Sequence, residues 1–178
     1  MKAAILTVSD RCFRGEARDE TGPALRALLE KSGAEVTEVA LVADEIEEIR
    51  GQLLRLCESG TDLILTNGGT GFAPRDVTPE ATRSVVERPV PGIPEAMRMR
   101  TLAITADAML SRACAGLRGR TLIVNLPGSP RGARECLEVI LPVLPHAMEM
   151  LAGGRQACAH RPRAAGAATG GGAHEDAS

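Results

Sequence analysis

Four short apolar runs, Ala3–Val8, Val36–Val42, Asp62–Thr66 and Thr121–Leu126, are separated by segments whose apolar residues recur at helical spacing. Runs this short and this continuously apolar fit strands covered on both faces, and the segments between them supply the covering helices. The expectation is an α/β fold of three layers, a mainly parallel sheet flanked by helices. Pro23–Lys31 sets Leu25, Leu28 and Leu29 on one face behind Thr21-Gly22-Pro23, and Glu45–Cys57 sets Ile46, Ile49, Leu53 and Leu56 on another. Two later helices open on a hydroxyl residue and a proline, Thr78-Pro79 and Ser129-Pro130, a capping and first-turn pattern. The second carries Ala133, Cys136, Leu137, Ile140 and Leu144 on its apolar side. Pro89–Ala103 is rich in turn and helix signals, and Ala108–Gly119 reads as an irregular or hairpin excursion turning at Gly116 and Gly119.

A chain of 178 residues suits one core. After Leu151 no Leu, Ile, Val, Met or Phe follows, so residues 1–151 are expected to form the domain and 152–178 a disordered Ala/Gly-rich tail. A net charge of -2 argues against a nucleic-acid binder. Phe13 and Phe72 are the only aromatic residues, too few for a base-stacking platform. Five scattered cysteines without a C-x-x-C pair argue against a disulfide framework or a zinc site and fit a reducing cytoplasm. The first apolar run stops at Ser9-Asp10, too short for a signal peptide, and the later apolar stretch Cys136–Leu151 is broken by Glu138, Pro142 and Pro145, so no membrane span is expected.

The chemistry is concentrated at strand ends. Thr66-Asn67-Gly68-Gly69-Thr70-Gly71 is a glycine-rich turn after a strand, where backbone N–H groups can face an anion. A plain tight turn has the same composition. No lysine follows the glycines as a P-loop requires, and Pro74 stands where a dinucleotide-binding turn needs its third glycine. Lys2 and Lys31 are the only lysines, and neither adjoins a cofactor motif. Asn125-Leu126-Pro127-Gly128-Ser129-Pro130 is a second such junction, with Arg131 and Arg134 in the following turn. Both junctions belong at the carboxyl edge of one sheet, where open α/β sheets bind ligands. Asp10, Asp44 and Asp76 follow the first strand, the second strand and the glycine turn, so they are expected at that edge, where one or two carboxylates could hold Mg²⁺ against a polyphosphate. Asp44-Glu45-Ile46-Glu47 is equally the pattern of a capping box, and Asp76 is placed to close a turn; the sequence leaves both roles open.

The run from Thr66 through Thr82, with Ser9-Asp10-Arg11, Val42-Ala43-Asp44-Glu45, Met109-Leu110-Ser111-Arg112 and Asn125-Leu126-Pro127-Gly128-Ser129, resembles the molybdopterin adenylyltransferases, which include the Mog proteins and the G domain of gephyrin. The resemblance spans about residues 3–151 and implies the molybdenum-cofactor-biosynthesis fold. It implies transfer of AMP from ATP to the molybdopterin phosphate with release of pyrophosphate, with Mg²⁺ required. It further implies a homotrimer and hand-over of product to a molybdenum-insertion protein. Asp44 and Asp76 match the two catalytic, metal-holding aspartates. Ser9, Asp10, Gly68, Gly69, Thr70, Gly71, Ser111, Arg112, Pro127, Gly128 and Ser129 match substrate-binding positions. The alternative within the same fold is a non-catalytic molybdopterin-binding paralogue or a trimeric scaffold.

Overall fold

The computed structural model describes residues 1–153. The tail expected over 152–178, and with it Cys158, His160 and His174, lies outside the described residues except for Ala152 and Gly153. The first half of the chain alternates strand and helix: β1 (Lys2–Val8), the single turn α1 (Asp10–Phe13), α2 (Thr21–Lys31), β2 (Glu35–Val42), α3 (Ile46–Glu58), β3 (Leu63–Asn67) and α4 (Thr78–Val85). Then come β4 (Arg88–Pro89), α5 (Gly92–Thr101), a 3-10 turn (Ala106–Leu110), β5 (Ala115–Arg118), β6 (Thr121–Leu126), α6 (Pro130–Ile140) and α7 (Leu144–Leu151).

One six-stranded sheet runs in the order β2-β1-β3-β6-β5-β4. Its first four strands are parallel, and β5 and β4 extend it antiparallel. Alternate residues of β1 feed opposite cores. Ala3 and Ile5 pack with Leu25, Leu29, Met97, Leu137 and Ile140 on the α2/α5/α6 side. Ala4, Leu6 and Val8 pack with Ile49, Leu53, Ala81 and Val85 on the α3/α4 side. The three-layer reading therefore holds, and its cause is the unbroken burial of β3 and β6, which leaves no solvated sheet face there.

Two local expectations change. Thr78 does not cap α4: Val77 precedes the helix without a side-chain cap bond, and Thr78 is itself the first helical residue, its N–H donating to the Gly69 carbonyl. Ser129 does cap α6, accepting from the Gly132 N–H. Gly119 turns the β5–β6 hairpin at φ +53, but Gly116 lies within β5. A methyl group on Gly116 would run into Val86 and reach 2.9 Å from the Arg88 carbonyl oxygen, so the glycine answers a close approach of chains rather than a turn. Gly116→Ala is expected to cost about 1–3 kcal/mol by overpacking, seen as a fall of several degrees in thermal unfolding with the distant sheet edge unaffected.

The chain passes from β1 outward to β2 and then crosses to β3 on the other side of β1. This reversal makes the gap between the carboxyl ends of β1 and β3 the crevice where a ligand fits. The register aligns Thr7 with Asn67, Asn67 with Leu126 and Val8 with Val42, so the residues that follow each strand emerge along one edge.

Candidate active site

At that edge β1 gives way to Ser9, whose hydroxyl caps α1 by accepting from the Cys12 N–H at 3.3 Å. The next residue meets the end of β2 in a reciprocal pair: the Asp10 N–H donates to Asp44 Oδ2 at 2.7 Å, and the Asp44 N–H donates to Asp10 Oδ1 at 3.1 Å. The capping-box role of Asp44 is not used, since Glu45 precedes α3 and makes no side-chain cap bond. The carboxylate is free to face the crevice because its bonding is done across strands rather than down its own helix.

Arg75 binds this pair from the far end of the glycine turn. Its Nε and Nη2 donate to the two Asp10 oxygens at 3.0 and 2.9 Å, and its Nη1 to Glu45 Oε1 at 2.6 Å. The hydrogen-bonded Arg75 guanidinium, aided by the Asp44 amide, holds the Asp10 carboxyl below the ordinary carboxylate range. Asp44 moves the other way. Burial raises its pKa first, and the neighbouring charges of Asp10 and Asp76 add to this, against the Asp10 amide and Arg75.

Asp76 closes the turn and also reaches the crevice. Its Oδ2 accepts the Ala73 N–H at 2.8 Å while its own N–H donates to the Ala73 carbonyl, closing a turn, and the half-buried side chain still lines the crevice. Arg112 shapes the same loop from outside. Its N–H donates to the Thr70 carbonyl, its Nε to the Gly71 carbonyl at 2.7 Å, and its other nitrogens to the Asp76 carbonyl and Glu80.

A second set of bonds fastens the crevice floor. Asn67 Nδ2 donates to Thr7 Oγ1, and Thr7 in turn donates to Asp19 Oδ2 at 2.7 Å. Asp19 Oδ1 accepts the N–H groups of Thr21 and Gly22, and Thr21 Oγ1 donates to the Gly128 carbonyl. Sequence reasoning misses the roles of Asp19 and Arg75. Asp19 stands two residues ahead of the Thr21-Gly22-Pro23 helix start, which is a cap signal, and Arg75 is adjacent to Asp76 within the glycine-turn motif.

The glycine turn separates two cavities. One, of about 390 Å³, is bounded by Ser9, Asp10, Asp44, Gly68, Gly69 and Asp76, with Gly128 and the exposed Arg11 and Arg18 at its margin. The other, of about 490 Å³, is bounded by Thr70, Gly71, Arg98, Ser111, Pro127 and Ser129 over an apolar floor that includes Pro94 and Met97. Arg98 donates to the carbonyls of Ser111 and Ala113 and so fixes the wall it belongs to. The expected site residues thus fall on one connected edge, with Arg112 the exception: it lines neither cavity and instead braces the loop between them. Arg131 and Arg134 are exposed and paired with Glu135 and Glu138, so neither cavity draws on them.

A family model described as a probable molybdopterin binding domain matches residues 4–146. The chain belongs to this family. A molybdopterin adenylyltransferase of Helicobacter pylori (strain J99) is 41% identical over 152 residues, covering 84% of this chain and 86% of that protein. Gephyrin of Dictyostelium discoideum is 43% identical over 157 residues, which are 83% of this chain and 22% of that protein. The crystal structure of the molybdopterin biosynthesis enzyme MoaB of Thermus thermophilus superposes with a TM-score of 0.80 at 56% identity, covering 85% of this chain and 96% of that one. Within the molybdopterin-binding-domain family, the acidic cavity, the glycine turn and the more apolar cavity therefore sit on a shared scaffold.

Proposed function

We propose that the chain is a molybdopterin adenylyltransferase, transferring AMP from ATP to the phosphate of molybdopterin with release of pyrophosphate. The observation that carries this reading is the pair of cavities sharing one glycine turn, one acidic and one mainly apolar, a layout for two substrates whose phosphates meet at the turn. The identity to a named molybdopterin adenylyltransferase over most of both chains supports the same substrates.

The triphosphate of ATP takes the acidic cavity and the pterin the apolar one, against Ser111 and the Pro127–Ser129 turn. A polyphosphate among Asp10, Asp44 and Asp76 needs a cation. Asp44 Oδ1 and Asp76 Oδ1 accept no hydrogen bond among the described residues, and no three His, Cys, Asp or Glu side chains there form a metal-holding group. One or two carboxylate oxygens with substrate phosphates and water suit Mg²⁺, which would be held by Asp44 and Asp76 and, when bound, withdraws charge from the transferring phosphate. The remaining work belongs to the chain. The turn's backbone N–H groups orient the α-phosphate, and Arg75 keeps Asp10 and the reciprocal strand-end pair rigid. An oxygen of the molybdopterin phosphate bonds to the α-phosphorus, the bond from that phosphorus to the bridging oxygen breaks, and pyrophosphate leaves with the electron pair, toward Arg11 and Arg18. No covalent enzyme intermediate is required.

The proposal extends to a homotrimer, supported by the resemblance and by exposed Met99, Leu102, Ile104 and Met109 along one stretch of chain, and to cytoplasmic residence with hand-over of the adenylylated product to a molybdenum-insertion protein. No helix among the described residues is long and apolar enough to cross a membrane. The domain responsible is residues 1–151.

Purified protein supplied with molybdopterin, ATP and Mg²⁺ is expected to form adenylylated molybdopterin and pyrophosphate in equal amounts. Asp76→Asn is expected to lower the rate by about a hundredfold or more, the size of losing one preorganised charged group, while remaining folded by circular dichroism. The rival reading within the same fold is a non-catalytic binding member of the family; retention of molybdopterin with no pyrophosphate would select it.

A further inference from the structure

Thr78 is fully buried, and its hydroxyl oxygen has no hydrogen-bond partner among the described residues. Leaving a buried hydroxyl unpaired is costly, and a hydrophobic residue of the same shape would avoid the cost. The hydroxyl does not serve its own helix, since it sits at the first helical position rather than the cap. Its place is fixed by the Thr78 N–H bond to the Gly69 carbonyl at 3.1 Å. The oxygen faces the side of Gly69 that a side chain would occupy: a Cβ there would lie 2.5 Å from Thr78 Oγ1 and 3.0 Å from Asp44 Oδ1. A donor without an acceptor and a carboxylate oxygen without a donor therefore look onto the same bare glycine. Asp44 Oδ2 is already held by the Asp10 N–H, so among the described residues the carboxylate is anchored at one oxygen only.

We infer that Thr78 is a positioning residue, whose hydroxyl donates to Asp44 Oδ1 once substrate fills the acidic cavity and fixes the direction of the carboxylate through its second oxygen. Hydrogen bonds of this kind are commonly open in an unliganded site and close with the ligand. Gly69 keeps the path between the two groups clear. The inference rests on the adenylyltransferase reading for its kinetic arm and stands apart from it for its binding arm.

The test compares full-length wild type, Thr78→Val and Thr78→Ser. Without ligand, Thr78→Val is expected to unfold at or above the wild-type temperature, because the unpaired hydroxyl is gone. With ATP and magnesium, its gain in unfolding temperature is expected to be smaller than that of wild type. Its kcat is expected to fall about ten- to a hundredfold, the size of one hydrogen bond to a charged group, with KM for ATP rising in step with the smaller ligand-induced gain, and Thr78→Ser is expected to recover both readouts. Equal ligand-induced gains and equal kcat for wild type and Thr78→Val would overturn the inference, as would a fall in kcat matched by a fall in unliganded stability that serine does not restore. If wild type forms no adenylylated product, the proposed reaction fails, and the difference in ligand-induced gain still decides the role of Thr78.

Discussion

Asp44→Asn is expected to abolish most turnover and to leave the protein at least as stable as wild type. The two effects have one cause. In the folded chain Asp44 is half-buried beside Asp10 and Asp76, and burial is the main reason its pKa is raised. A carboxylate whose pKa is raised by folding is ionised more readily in the unfolded chain, so the folded state gives up stability as pH rises from the ordinary value of 3.8 through the raised one, and the penalty persists above it. Asparagine carries no such penalty and still offers an oxygen to the Asp10 N–H. The unfolding temperature of the variant is therefore expected to exceed that of wild type at neutral pH, with the gap closing as the pH approaches 4. Activity goes the opposite way: without the negative oxygen facing the cavity, kcat is expected to fall by about a hundred- to a thousandfold. A variant that is inactive and less stable at neutral pH would mean that Asp44 is held for the fold. Parallel thermal scans across pH and pyrophosphate-release kinetics separate the outcomes.

That dual character explains how much of the site is legible in the sequence. Three of the four apolar runs become β1, β3 and β6, buried on both faces, while the run at Val36–Val42 becomes the half-exposed edge strand β2; the buried strands call for helices on both sides, and the strand ends then place Asp10, Asp44 and the glycine turn along one edge. What periodicity does not carry is the pairing of distant segments. Arg75 grips Asp10 across 65 residues, and the Thr7, Asp19 and Asn67 bonds join two strands to the loop ahead of α2. Neither leaves a repeat in the chain. Local patterns also have more than one use. The capping-box spelling at Asp44 goes unused because a cross-strand partner takes the carboxylate, whereas Asp76 closes its turn and faces the cavity together. Thr78-Pro79 has the spelling of a cap, yet the helix begins one residue sooner, and Gly116 has the composition of a turn but relieves a contact with Val86.

The two adjacent glycines of the turn are expected to fail in different ways when given a methyl group. Gly68 has φ +99, and a Cβ there would run into the Val8 carbonyl at the end of β1, which is backbone and cannot rotate aside. Across the crevice Gly128 comes so near that its own Cβ would lie 3.2 Å from the Gly68 Cα, so the turn cannot retreat toward α6 either. Gly68→Ala is expected to cost about 1–3 kcal/mol for the overlap with about 1 kcal/mol or more for the backbone angle, lowering the unfolding temperature by about 10 °C and removing activity with it. Gly69 has φ +59, a region alanine enters at modest cost, and the groups its Cβ would meet are the side chains of Thr78 and Asp44 rather than backbone, so a shift of those side chains relieves the overlap. Gly69→Ala is therefore expected to lose only a few degrees of unfolding temperature while its activity falls as far as that of Asp44→Asn, since Asp44 Oδ1, which its Cβ would displace, belongs to a residue lining the acidic cavity. Thermal unfolding and pyrophosphate release on the two variants test the division. If Gly69→Ala keeps its rate, the Gly69 face is not part of the reacting site. If Gly68→Ala keeps its stability, β1 and the turn are less tightly joined than the Val8 contact requires.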